Sequence, residues 1–142
     1  MIGDSWCRNI RYYEIDKFVL DYDDFDFIGL RALKINSSGS IEEFYEDSGE
    51  KIRGLAQYHG SVVVYGGPMF GFRGYVKVID INHATELFEA RKLNGFVYAV
   101  AADWNHRLFA AGTSKGTIYL WQTQPPQLGS SMPVSSPSSA PN

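Results

Sequence analysis

Between residues 30 and 121 the chain writes one pattern more than once, and a repeat of this kind confines the fold to architectures in which short, similar units stack. Val97-Tyr-Ala-Val-Ala-Ala-Asp-Trp-Asn-His106-Arg-Leu-Phe-Ala-Ala-Gly-Thr-Ser-Lys-Gly116-Thr-Ile-Tyr-Leu-Trp121 reads as three short strands separated by turns rich in Asn, Gly and Ser. Upstream, Ile52-Arg-Gly-Leu-Ala56, then His59-Gly60, then Ser61 to Gly67, then Gly74 to Ile81 follow the same order, with a histidine in the same turn of both copies. Further back, Leu30 to Ile35 takes the place of Val76 to Ile81, and Ser40 to Tyr45 the place of Thr85 to Arg91. Equivalent strands then end at Leu33, Ile79 and Trp121, 46 and 42 residues apart. Periods of about 40–45 residues with four strands each are the mark of propeller blades.

Strands are favoured over helices on physical grounds. Val62-Val-Val-Tyr65 and Tyr75-Val-Lys-Val-Ile79 are β-branched and aromatic, types that pack well on a pleat and lose χ1 freedom in a helix. In Gly116-Thr-Ile-Tyr-Leu-Trp121, Ile118 and Leu120 alternate with Thr117 and Tyr119. The stretch Ala84 to Leu93 has a helical look, but the repeat register assigns it a strand. With the strands of a blade lettered a to d, the chain reads b, c and d, then a complete a to d, then a, b and c. The first b strand falls within Arg11 to Leu20.

The last repeat resembles a WD-repeat motif almost residue for residue, from Arg107-Leu-Phe-Ala-Ala-Gly-Thr113 to Gly116-Thr-Ile-Tyr-Leu-Trp121, and the resemblance extends over roughly residues 15–122. It departs from the family pattern in three places. No Gly-His pair opens a repeat, Lys115 stands where Asp is usual before the third strand, and Gln122 follows Trp121 in place of Asp. The hydrogen-bonded side-chain tetrad of a well-formed blade is accordingly expected to be absent. The resemblance implies an all-β fold, a partial β-propeller of about two and a half four-stranded antiparallel blades. The organisation it gives is an N-terminal segment 1–10 without assignment, propeller blades over 11–122, and a Pro/Ser-rich tail over 123–142 that is expected to be disordered. So short a set of blades cannot close a ring alone. Either blades upstream are missing, or copies associate as a homo-oligomer through open faces.

Composition narrows function. The chain is 44% hydrophobic, which suits a packed core, and its net charge of -3 is not the basic footprint that nucleic acid or anionic membrane demands. The single cysteine, Cys7, cannot form an internal disulfide, and with three histidines it offers no paired-ligand spacing for zinc. Without an apolar leader or a membrane-length run, the expected location is intracellular, in the cytoplasm ahead of the nucleus. No phosphate loop, nucleophile elbow or His-Glu-x-x-His pair is present, so no cofactor and no enzymatic activity are expected.

Candidate binding residues sit in the loops between strands b and c. Gly66-Gly67-Pro68-Met69-Phe70-Gly71-Phe72-Arg73 is longer than the Thr113-Ser-Lys-Gly116 turn of the last blade, and Asp21-Tyr-Asp-Asp-Phe25-Asp-Phe27 holds the equivalent place one blade earlier. In WD propellers that junction opens onto the face that receives peptides and proteins. Met, Arg and aromatics are enriched where interfaces concentrate their binding energy. Met69, Phe70, Phe72 and Arg73, with Phe25 and Phe27, are therefore the expected contact residues of a protein-interaction scaffold. Two further readings stand beside it: a structural segment of a larger complex, such as a ubiquitin-ligase substrate receptor or a trafficking assembly, and a propeller enzyme or small-ligand binder.

Overall fold

A computed structural model describes residues 9–14, 16–23, 28–123 and 138–140. Twelve strands form three antiparallel sheets among these residues. The first sheet holds β1 (Ile10–Glu14), β2 (Lys17–Asp23), β3 (Ile28–Ile35) and β4 (Ile41–Ser48) in sequential order. The second holds β5 (Gly54–His59), β6 (Val62–Met69), β7 (Arg73–Asp80) and β8 (Thr85–Asn94), and the third β9 (Val97–Asp103), β10 (Leu108–Thr113) and β11 (Ile118–Gln122). β12 (Ser138–Ala140) pairs with β11 through Leu120 and Ser138, placing a fourth strand on the third sheet. The rest of the tail expected to be disordered, 124–137 and 141–142, lies outside the described residues, as do residues 1–8 with Cys7.

The middle sheet explains the near-continuous apolar runs of its strands. Consecutive side chains on a strand point to opposite faces, so a sheet covered on both sides needs hydrophobic residues at every position. Val63, Tyr65, Tyr75 and Ile79 join Val19, Leu30 and Ala32 in a core between the first and second blades. Their immediate neighbours Val64, Val76 and Val78 join Phe109, Ala111 and Trp121 in a second core, between the second and third. The third sheet keeps alternation instead, with Phe109 and Trp121 buried on one face while Ile118 and Leu120, on the other, are exposed.

One expectation is refined and another is met. The segment Arg11 to Leu20, assigned one strand, holds parts of two, β1 and β2, so the first blade has four strands. The reversal passes through Asp16 at φ 60, a left-handed conformation that a short polar side chain tolerates. The stretch Ala84 to Leu93 is strand, β8, paired with β7 from Asp80↔Thr85 to Arg73↔Asn94. That pairing satisfies backbone groups that a helix would bond internally.

Candidate interaction surface

The antiparallel order places the b–c loops and the crossings from one blade to the next at the same end of the sheets. At the first crossing, residues 49–53 run from β4 to β5 directly over β6. Contact there is close: a Cβ added to Gly67 would lie 2.1 Å from the Lys51 carbonyl oxygen, so only glycine lets the two backbones meet. Arg53 N–H donates to the Gly66 oxygen at 2.9 Å, and the Tyr75 hydroxyl donates to the Lys51 oxygen at 2.7 Å. Pro68 follows past the end of β5, where its missing N–H removes no bond from that ladder.

These contacts leave a cleft of about 550 Å³ between the first and second blades. Ile28, Pro68, Met69 and Phe70 give it apolar walls. Glu50, Lys51 and Arg91 give it a polar rim, in which Arg91 donates to both Glu50 carboxylate oxygens at 2.8 and 3.3 Å and to Glu89 at 3.0 Å. The Glu50 hydrogen bond holds the guanidinium above its ordinary pKa. Below the rim, Lys77 Nζ stands 3.8–3.9 Å from the carboxylates of Asp47, Glu50, Glu86 and Glu89, so the first two blades are joined by charge as well as by packing. Tyr65 donates to Asp47 across the same junction, and burial, followed by that hydrogen bond, pushes its phenol far up.

The residues expected to make the site divide in two directions. Met69 closes β6, packs against the first core and accepts the Lys92 N–H on its sulfur at 3.3 Å. Phe70 lies fully exposed at the turn beside the cleft. Phe72, at φ 59, turns toward the third blade and stacks on Phe96 at 5.6 Å, and Arg73 donates to the Lys92 oxygen at 3.4 Å. Phe25 and Phe27 lie outside the described residues. Ile28, Glu50, Lys51 and Arg91 were missed by sequence reasoning. The Ser48-Gly49 turn marked the blade junction, but nothing in the repeat placed Arg91 over it.

At the opposite end, Trp104 stacks on His59 at 4.0 Å, joining turns of neighbouring blades, and carries the guanidinium of Arg107 from its own turn 3.7 Å from its ring centre in a cation–π contact. His83 and His106 each bond the aspartate three residues before, Asp80 at 2.8 Å and Asp103 at 2.6 Å. Asp103 is held below the usual carboxylate range, chiefly by that histidine. Among the described residues no three His, Cys, Asp or Glu side chains gather as metal ligands, and no helix is long and apolar enough to cross a membrane.

Sheets of this form and order are those of β-propeller blades. The chain is similar in structure to the β-propeller domain of Cps50 (Swd1) from Myceliophteria thermophila, with a TM-score of 0.68 at 10% identity over 97% of this chain and 46% of that one. It is similar also to the Dos1 propeller, with a TM-score of 0.64 at 13% identity over 83% of this chain and 32% of that one. The chain thus spans less than half of the propellers that it matches. No protein-family model and no curated relative matches it.

Proposed function

We propose that this chain is a non-catalytic, intracellular protein-interaction segment of a WD-type propeller, and that its partner docks at the cleft between the first and second blades. The observation that carries this reading is the union of an apolar cleft with a fully exposed aromatic at its lip. Phe70 contributes nothing visible to its own blade's packing, and large apolar side chains held in the open by a rigid hairpin are the usual anchors of an interface. Replacing Phe70 by a photo-crosslinking phenylalanine analogue in the full chain tests it. A discrete adduct should form in cells, disappear when Met69→Asp is added, and not form with the same group at His83 on the opposite end. Equal labelling at both positions refutes the assignment.

The reading of a structural segment within a larger assembly has its own support. The outer face of the first blade exposes Ile10 and Tyr12, and that of the third exposes Ile118 and Leu120, beside a shallow apolar hollow of Ala101, Leu108 and Ala110. These are the faces on which further blades, from a longer chain or a second copy, would pack. Light scattering on the purified chain distinguishes the cases: a cooperative oligomer means that copies complete one another, and an aggregating monomer means that blades are missing.

A further inference from the structure

The acidic net charge of the chain conceals a division. Residues 1–50 carry twelve acidic and five basic residues, whereas residues 51–142 carry four acidic and eight basic. The fold then concentrates the basic excess at one end of the second and third blades. Lys51 lies on the first crossing, Arg73 on the β6–β7 hairpin, Lys92 at the end of β8 and Lys115 on the β10–β11 turn, all exposed. Short contacts tie these turns into one surface. Arg73 bonds the Lys92 backbone, the β8–β9 turn at Gly95 packs against Lys115, and Phe96 and Ser114 exchange hydrogen bonds at 2.8 and 2.9 Å. Phe72 and Phe96 form the apolar strip beside them.

Near these turns the carboxylates among the described residues are engaged: Glu50 and Glu89 by Arg91 and Lys77, and Asp47 by Lys77 and Tyr65. Among the described residues Lys51, Arg73, Lys92 and Lys115 make no ion pair, although other bases of the chain, Lys17, Arg31, Lys77 and Arg91, do. At the opposite end acids and bases are mixed, with Asp80 beside His83, and Asp103 beside His106 and Arg107.

We infer that this end of the second and third blades receives an acidic segment of a partner protein, with one large apolar side chain seated in the cleft beside Phe70 and carboxylates lying along Lys51, Arg73, Lys92 and Lys115. The inference rests on the docking site proposed above and adds the partner's chemistry. Complementary charge steers the encounter and rejects basic competitors. A peptide fits better than a nucleic acid, because the cleft offers the apolar walls of Ile28, Pro68 and Met69 to a side chain, and Phe72 and Phe96 already spend faces on each other instead of offering a platform for bases.

The test uses the full chain and a fluorescent dodecapeptide of glutamate and serine around a central phenylalanine. Binding is expected, and it should weaken roughly tenfold or more in the triple variant Arg73→Glu/Lys92→Glu/Lys115→Glu, and likewise when the peptide's glutamates become glutamines, since several exposed pairs act together and are screened by salt. A thermal melt of the triple variant must match that of the parent. If Phe70→Ala abolishes binding while charge reversal and the glutamine peptide change nothing, the acidic partner is overturned and the docking site stands. If neither Phe70→Ala nor charge reversal matters, or no peptide binds at about 100 μM, both fall. Tighter binding of an oligothymidylate of the same length, or salt-sensitive self-association without peptide binding, also overturns the inference, in favour of nucleic acid or a second copy respectively.

Discussion

Replacing Trp121 by alanine should remove most of the stability of the third blade. The indole is fully buried, stacked on Phe109 at 5.3 Å and Tyr119 at 5.8 Å, and met edge-on by Phe88 of the second blade at 5.7 Å. A buried aromatic removes roughly 150–250 Å² from water, which at about 25 cal/mol/Å² is ~4–6 kcal/mol. Truncations of this kind cost about 3–5 kcal/mol once partial collapse of the cavity is allowed. The indole N–H has no hydrogen-bond partner among the described residues. Truncation therefore orphans no acceptor there, and the loss is packing alone. Trp121→Phe, which keeps a stacked ring, should cost about 1.5 kcal/mol or less. Urea unfolding followed by far-ultraviolet circular dichroism reads both. With a slope of about 2 kcal/mol/M, the alanine variant should move the midpoint by about 2 M and the phenylalanine variant by less than half as much. A shift under about 0.5 M for alanine would place Trp121 outside a packed blade interface and refute the repeat register on which the fold rests.

Gly67→Ala should destabilise the chain by about 1–3 kcal/mol, measured in the same assay, because its methyl would overlap the Lys51 carbonyl and force apart the crossing between the first two blades. Lys77→Met should cost about 1–2 kcal/mol at low salt and less at high salt, since it leaves four carboxylates close together, of which Arg91 pairs only Glu50 and Glu89; a loss independent of salt would deny the network. Stability should also fail in alkali. Burial first, then Asp47 and Glu86, pushes the Tyr45 phenol up to about 12, and burial raises Tyr13, Tyr58, Tyr65 and Tyr75 as well. The folded state thus favours the protonated phenols. Their contribution is complete below the unfolded value near 10 and is lost as pH climbs from there through the folded values. Tyrosinate absorbance should rise together with loss of ellipticity above about pH 10, whereas a smooth titration centred at 10 with the fold intact would contradict the burial of these rings.

The blades were legible because their constraints are local. β-Branched runs, glycine turns and a fixed spacing each act within a few residues, and repetition lets one copy check another, which is how β8 is recognised as a strand despite its helical look. The same logic misread Arg11 to Leu20, where a tight reversal at Asp16 carries no glycine or proline to announce it. The hairpin carrying Met69, Phe70, Phe72 and Arg73 was visible as an extended aromatic loop on a regular repeat.

What the loop's side chains face was not visible. The cleft exists because the Lys51 crossing lies on Gly67, because Arg91 reaches 41 residues back to Glu50, and because Ile28 comes from another blade. Charge behaves the same way: a net of -3 read along the chain excluded a basic face, yet folding gathers Lys51, Arg73, Lys92 and Lys115 at one end. That the chain is made of blades follows from strand periodicity and turn chemistry, which are short-range. Which turns meet, which side chain closes a cleft and where like charges collect depend on the pairing of residues that are distant in the chain, and so emerge only on folding.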